Sequence, residues 1–340
     1  MTKRTRVFLF GAAGVLVAGL ATGLVAWSMG MPVFAALGSN VPDELAYVSD
    51  TAHMVAYADV RQVMSSQFRS TLQQFQRDNP SNADGLEART GINLETDIDR
   101  VVAAMSGGGN ARTDRPLMVA RGRFNAVKIE GLMREQGAQV EQYRGKRLVF
   151  IKDDTHDAAL AFAETGLVLF GSGAAVRRAI DTKAGGATSI TENEEFMGLV
   201  GDVDEGTAWT VARFDALTGS TALPAGVANQ LPPINWLLAS ARVDGDVHGM
   251  VRAEARDKES ADNLRDVVRG FLAIAKMQGS QPPELKSMFS SIQLGGEGNT
   301  VVLSFDVTPA MLEAFRSGAV GARPGGPRRP QRPQGAPQVF

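Results

Sequence analysis

The chain has 340 residues, 35 basic and 37 acidic side chains, and no cysteine. That length is room for about two domains with a sizeable core, and 44% apolar against 21% charged residues is an ordinary globular balance. The missing cysteine excludes structural disulfides, thiolate zinc sites, iron–sulfur clusters, cysteine nucleophiles and a lipid-modified cysteine.

Charge is unevenly placed. Lys3, Arg4 and Arg6 precede the first apolar run, and Arg323, Arg328, Arg329 and Arg332 fall in an acid-free stretch at the end. Without these seven, 28 basic face 37 acidic residues, so the body carries −9. An acidic body argues against nucleic-acid binding, which needs a basic face. It is also repelled by anionic lipid, so the body is expected to stand off a membrane surface.

No charge occurs between Arg6 and Asp43, and Val7 to Trp27 is a 21-residue run in which Thr22 alone is polar. As a helix that run spans about 30 Å, the thickness of a bilayer core. The preceding bases predict a cytoplasmic stub (1–6), a transmembrane signal anchor (7–27) and a linker (28–42), with the body outside the cytoplasmic membrane, in a periplasm where there is one. A cleaved leader is the competing reading, with Val33-Phe34-Ala35 ahead of Ala36 as its processing site. The run is longer than the usual leader core of about 7–15 residues. Gly14, Ala18, Thr22 and Ala26, together with Gly19 and Gly23, give small-residue spacings that leave a homodimer open, although a generic Ala/Gly-rich anchor accounts for the same residues without one.

The body reads as two halves, 43–204 and 205–317. His53 to Val60 is β-type, and Asp59 with Gln62 marks a helix start. Val60, Val63, Met64, Phe68, Leu72 and Phe75 continue at helical spacing. A short helix is expected to end at Gly91. Strands follow at Arg100 to Met105 and Leu117 to Arg121, a helix at Ala126 to Gln136, and strands at Leu148 to Ile151 and Ala158 to Phe170. The last is broken at Thr165-Gly166 and followed by a helix opened by Ser172. The second half opens with Ala208 to Phe214. Trp236 to Val243 and Val247 to Ala255 then alternate about Asp244-Gly245-Asp246, a strong hairpin signal. An amphipathic helix through Leu264, Val267, Val268, Phe271, Leu272 and Ala275 comes next, then strands at Ser291 to Leu294 and Thr300 to Val307, then a helix after Thr308-Pro309. The order strand, gap, hairpin, helix, strand pair, helix thus occurs twice, as an internal duplication would give. The fold class is α+β, with largely antiparallel sheets and helices packed on one face.

From Gly318 the composition changes. Pro324, Pro327, Pro330 and Pro333 recur at the polyproline II period among four arginines, predicting an extended or disordered tail over 318–340. Such a tail is either a solvated extension or a hook for an anionic cell-wall polymer, an envelope protein or a neighbouring copy.

Chemistry-bearing motifs are sparse. The three histidines, His53, His156 and His248, form no zinc pattern. Asp153-Asp154-Thr155-His156-Asp157 could hold calcium or magnesium, but it lacks an EF-hand spacing and reads as a hairpin tip. Gly171-Ser172-Gly173 could meet a phosphate, but Val176 replaces the third glycine of the dinucleotide motif and Ser172 reads as a helix cap. Asp97/Asp99 and Asp202/Asp204 read as charged strand ends and loops. No catalytic, cofactor-binding or metal residues are assigned, and no cofactor.

Three segments carry a family look: Val55-Ala56-Tyr57-Ala58-Asp59-Val60-Arg61, Thr90-Gly91-Ile92-Asn93-Leu94-Glu95-Thr96-Asp97-Ile98-Asp99, and Phe170-Gly171-Ser172-Gly173-Ala174-Ala175-Val176-Arg177-Arg178-Ala179-Ile180-Asp181. Over residues 41 to about 210 the chain resembles an uncharacterised group of bacterial membrane-anchored envelope proteins. The resemblance implies one N-terminal membrane segment, an α+β ectodomain and no assigned activity. The expected function is therefore a non-enzymatic, anchored extracytoplasmic protein with a structural, scaffold or interaction role. A lipid or small-molecule binder is the alternative, and a hydrolase ranks behind both.

Overall fold

The computed structural model describes residues 41–66, 69, 91–106, 116–153, 156–203, 207–215, 231–243, 246–277, 287, 289–308 and 310–311. The expected anchor, the basic tail and most of the linker lie outside them. So do Phe68, Leu72 and Phe75 of the first amphipathic stripe, of which Val60, Val63 and Met64 are described, and the body of the short helix expected to end at Gly91. Among the described residues no helix is long and apolar enough to cross a membrane.

A 3-10 turn, Asp43–Tyr47, leads into β1 (Ala52–Ala58). The Asp59 carboxylate then accepts from the Gln62 N–H at 3.1 Å and opens α1 (Val60–Ser65). The Asn93 side chain accepts from the N–H groups of Glu95 and Thr96 and starts the single turn α2 (Leu94–Asp97). β2 (Ile98–Ser106) and β3 (Leu117–Gly122) follow as an antiparallel pair. Asn125 caps α3 (Ala126–Glu135) through the Lys128 N–H. A four-strand meander then runs through β4 (Gln139–Tyr143), β5 (Lys146–Asp153), β6 (His156–Glu164) and β7 (Leu167–Gly171). Arg144 and Gly145 both have positive φ between β4 and β5, the signature of a tight two-residue hairpin turn.

Ser172 caps α4 (Gly173–Lys183) through the Ala175 N–H, and Asn193 caps α5 (Glu194–Gly201) through the Phe196 N–H. The second half contributes β8 (Ala208–Arg213), β9 (Ile234–Val243), β10 (Val247–Ala255), α6 (Lys258–Met277), β11 (Gln293–Gly295) and β12 (Thr300–Val307).

The twelve strands among the described residues form one sheet in the order β11-β12-β10-β9-β8-β1-β2-β3-β7-β6-β5-β4, and each pairing between them is antiparallel. The halves meet at β1 and β8, where Val55 opposes Val211 and Tyr57 opposes Trp209. The mixed α+β class with a large antiparallel sheet is therefore as expected.

The placement of the helices corrects the expectation. Adjacent residues such as Val101 and Val102, Leu148 and Val149, Leu160 and Ala161, and Val168 and Leu169 are all buried. Successive side chains of a strand point to opposite faces, so both faces of these strands are covered. Val102, Leu148, Ala161 and Leu169 pack with α4, α5 and the 3-10 turn; Val101, Val149, Leu160 and Val168 pack with α1 and α3. In the second half α6 lies on the α1/α3 face, through Ala261 and Leu264 against Ala253 and Val301. The physical cause is visible in the near-continuous apolar runs of the first half, which mark strands sandwiched between layers.

Candidate functional site

A cleft of about 350 Å³ opens where the described chain begins, with Asp43, Tyr47, Arg121, Glu164, Lys183 and Thr191 among its lining residues. Several parts of the sequence build it. The 3-10 turn brings Asp43 and Tyr47, the end of β3 brings Arg121, the end of β6 brings Glu164, and the last turn of α4 brings Lys183. A short bridge pins the turn beside the segment carrying Thr191. The Ile190 N–H donates to the Val48 carbonyl at 2.8 Å and the Asp50 N–H to the Thr188 carbonyl at 3.1 Å.

Most polar groups here are committed. The Tyr47 hydroxyl donates to Glu164 Oε1 at 2.7 Å. Burial, with the hydrogen bond to Glu164 and that carboxylate's charge, holds the Tyr47 phenol protonated well beyond the usual tyrosine range. Lys183 Nζ stands 5.2 Å from the Tyr47 ring centroid and 4.0 Å from Glu164 Oε1. Arg121 donates through Nε to Glu44, whose side chain is fully buried, and Arg100 Nη2 approaches the same carboxylate at 3.9 Å. Burial on its own lowers the Arg121 pKa, but hydrogen bonding to Glu44 and its charge outweigh this and raise it. Glu44 thus fixes one wall of the cleft from behind. Asp43 is exposed and has no ion-pair partner within 4 Å among the described residues.

The residues singled out by sequence lie elsewhere and do not converge. Ser172 is the cap of α4, which accounts for Gly171-Ser172-Gly173. Asp153 ends β5 and His156 starts β6 opposite it, so the acidic run is a hairpin tip; Asp154 and Thr155 lie outside the described residues. Asp97 accepts from the Asn93 N–H at 2.9 Å, and Asp99 pairs with Arg61 Nη2 at 2.5 Å. Asp202 pairs with Arg252 Nη1 at 2.6 Å, while Asp204 is outside the described residues. His53 lies on β1. His248 Nδ1 meets Asp306 Oδ1 at 2.6 Å on an exposed part of β10 and β12, a pairing the sequence did not signal. No group of three or more His, Asp or Glu residues suited to a metal ion occurs among the described residues.

No protein-family model matches the chain, and no curated protein matches it. Among solved structures, crystal form III of TP0453 is similar with a TM-score of 0.49 at 10% identity, over 82% of this chain and 98% of that one. Crystal form I of TP0453 gives a TM-score of 0.46 at 10% identity over the same shares.

Proposed function

We propose that this chain is a non-enzymatic, membrane-anchored extracytoplasmic envelope protein that binds another protein or a cell-wall polymer through its body and its basic tail. The observation that carries this reading is the position of the cleft. Its wall includes Val41 and Pro42, the last two residues of the linker that follows the expected anchor. Fifteen linker residues (28–42) reach at most about 50 Å when fully extended, so an anchor would hold the cleft within that distance of the bilayer. Most of its polar groups are tied into structural pairs, Tyr47 with Glu164 and Arg121 with Glu44, an arrangement suited to recognition rather than to proton transfer.

The internal duplication belongs to the same proposal. Its support is the strand order outward from the centre: β1-β2-β3-β7-β6 on one side and β8-β9-β10-β12-β11 on the other. α3 follows β3 as α6 follows β10, and both helices lie on the same face of the sheet. β4 and β5 extend the first half alone.

A second reading, an apolar-ligand binder, draws on the face carrying α1, α3 and α6. There Met54, Ala56, Ala103, Met105, Ala239 and Ala241 are only half-buried, and small or flexible side chains of this kind leave room for an apolar guest.

Affinity purification of the full-length protein from mild detergent, beside a version ending at Arg316, tests both. A stoichiometric partner lost with the tail is the expected result. Recovery of the protein alone, carrying a lipid or metabolite identified by mass spectrometry, overturns the first reading in favour of the second.

A further inference from the structure

The cleft contains charges of both signs, and they are unequally occupied. Glu164 already accepts from Tyr47, and Arg121 is bound to Glu44. The charges least occupied are Asp43 on the 3-10 turn, which feels the Arg121 charge but makes no ion pair within 4 Å among the described residues, and Lys183, whose side chain is 43% exposed and whose nearest carboxylate oxygen is at the 4.0 Å limit of an ion pair. A simple anion such as phosphate would meet Asp43 and Glu164 as well as Lys183. A simple cation would meet Lys183 and Arg121. Electrostatic complementarity instead favours a guest carrying both charges. The Thr191 hydroxyl donates to Ser189 Oγ at 2.9 Å, which leaves its lone pairs to accept an N–H. A volume of about 350 Å³ is at the small end for a ligand site.

We propose that this cleft binds a short zwitterionic peptide, with the peptide ammonium on Asp43 and the peptide carboxylate on Lys183. The inference rests on the extracytoplasmic interaction reading and names the chemical class that this surface takes.

The test is calorimetric titration of the full-length protein in detergent micelles with trialanine, N-acetyl-trialanine and trialanine amide. Trialanine is expected to bind in the millimolar range or tighter, with each blocked form weaker by about fivefold, the scale of one partly exposed charge pair. Asp43→Asn should abolish discrimination against the acetylated peptide, and Lys183→Met should abolish discrimination against the amide. Both residues are exposed, and circular dichroism confirms that each variant is folded. No binding of trialanine at millimolar concentrations, or equal binding of all three peptides by the unaltered protein, overturns the proposal. Because the titration uses purified protein, its failure beside a partner captured through the tail removes the cleft's role and leaves the interaction reading intact.

Discussion

Tyr57 stacks on Trp209 with ring centroids 5.6 Å apart, across the seam between the two halves. Burial is the largest cause pushing its phenol up to about 12 from the ordinary 10.0, with the Asp59 charge adding to it. The folded state therefore keeps this proton after the unfolded chain would lose it. That preference supports the fold fully below pH about 10 and is lost as pH rises through about 12. Ultraviolet titration of tyrosinate is predicted to show a step near pH 12, ahead of the still later loss of the Tyr47 proton, that is absent in Tyr57→Phe, and the variant should lose stability less steeply above pH 10. An unchanged step near pH 12 in the variant would contradict the assignment. The chain has only three tyrosines, which keeps the measurement readable.

At the scale of elements, the β9–β10–β12 ladder shows how a strand is shaped by its neighbour. Gly249 opposes Phe305, and a Cβ at Gly249 would fall 2.4 Å from the Phe305 ring. Phe305 is itself 8% exposed and packed in the core, so the ring has little room to retreat. Gly249→Ala is predicted to destabilise the fold by about 1–3 kcal/mol in urea unfolding. Adding Phe305→Leu should recover part of that loss, and simple additivity of the two substitutions would argue against the clash. These strands were legible because alternation and an Asp-Gly turn agree: β10 and β12 occupy the expected residues. β4 was not, since Gln139-Val140-Glu141-Gln142-Tyr143 is a polar edge strand turned by Arg144-Gly145 rather than by Asn-Gly. α5 escaped for a different reason. It has eight residues, too few to display a helical period, and is defined by Phe196 lodging against Trp209 and Trp236.

At the scale of the whole molecule, one sheet joins what the sequence divides into halves, and α5 from the first half covers aromatic residues of the second. Local patterns could not reveal this, because the β1–β8 seam pairs segments about 150 residues apart. The cleft was hidden for the same reason. Its groups at 43, 47, 121, 164, 183 and 191 form no motif and come together only when the 3-10 turn docks on α4. The central claim is that this body works outside the cytoplasm, tethered through its N-terminus. Protease treatment of spheroplasts expressing the full-length chain, followed by carbonate extraction, tests it most directly. The account predicts that external protease digests the body while a cytoplasmic control survives, and that the undigested protein stays with the membrane pellet. A body protected in intact spheroplasts, or released by carbonate, would contradict it.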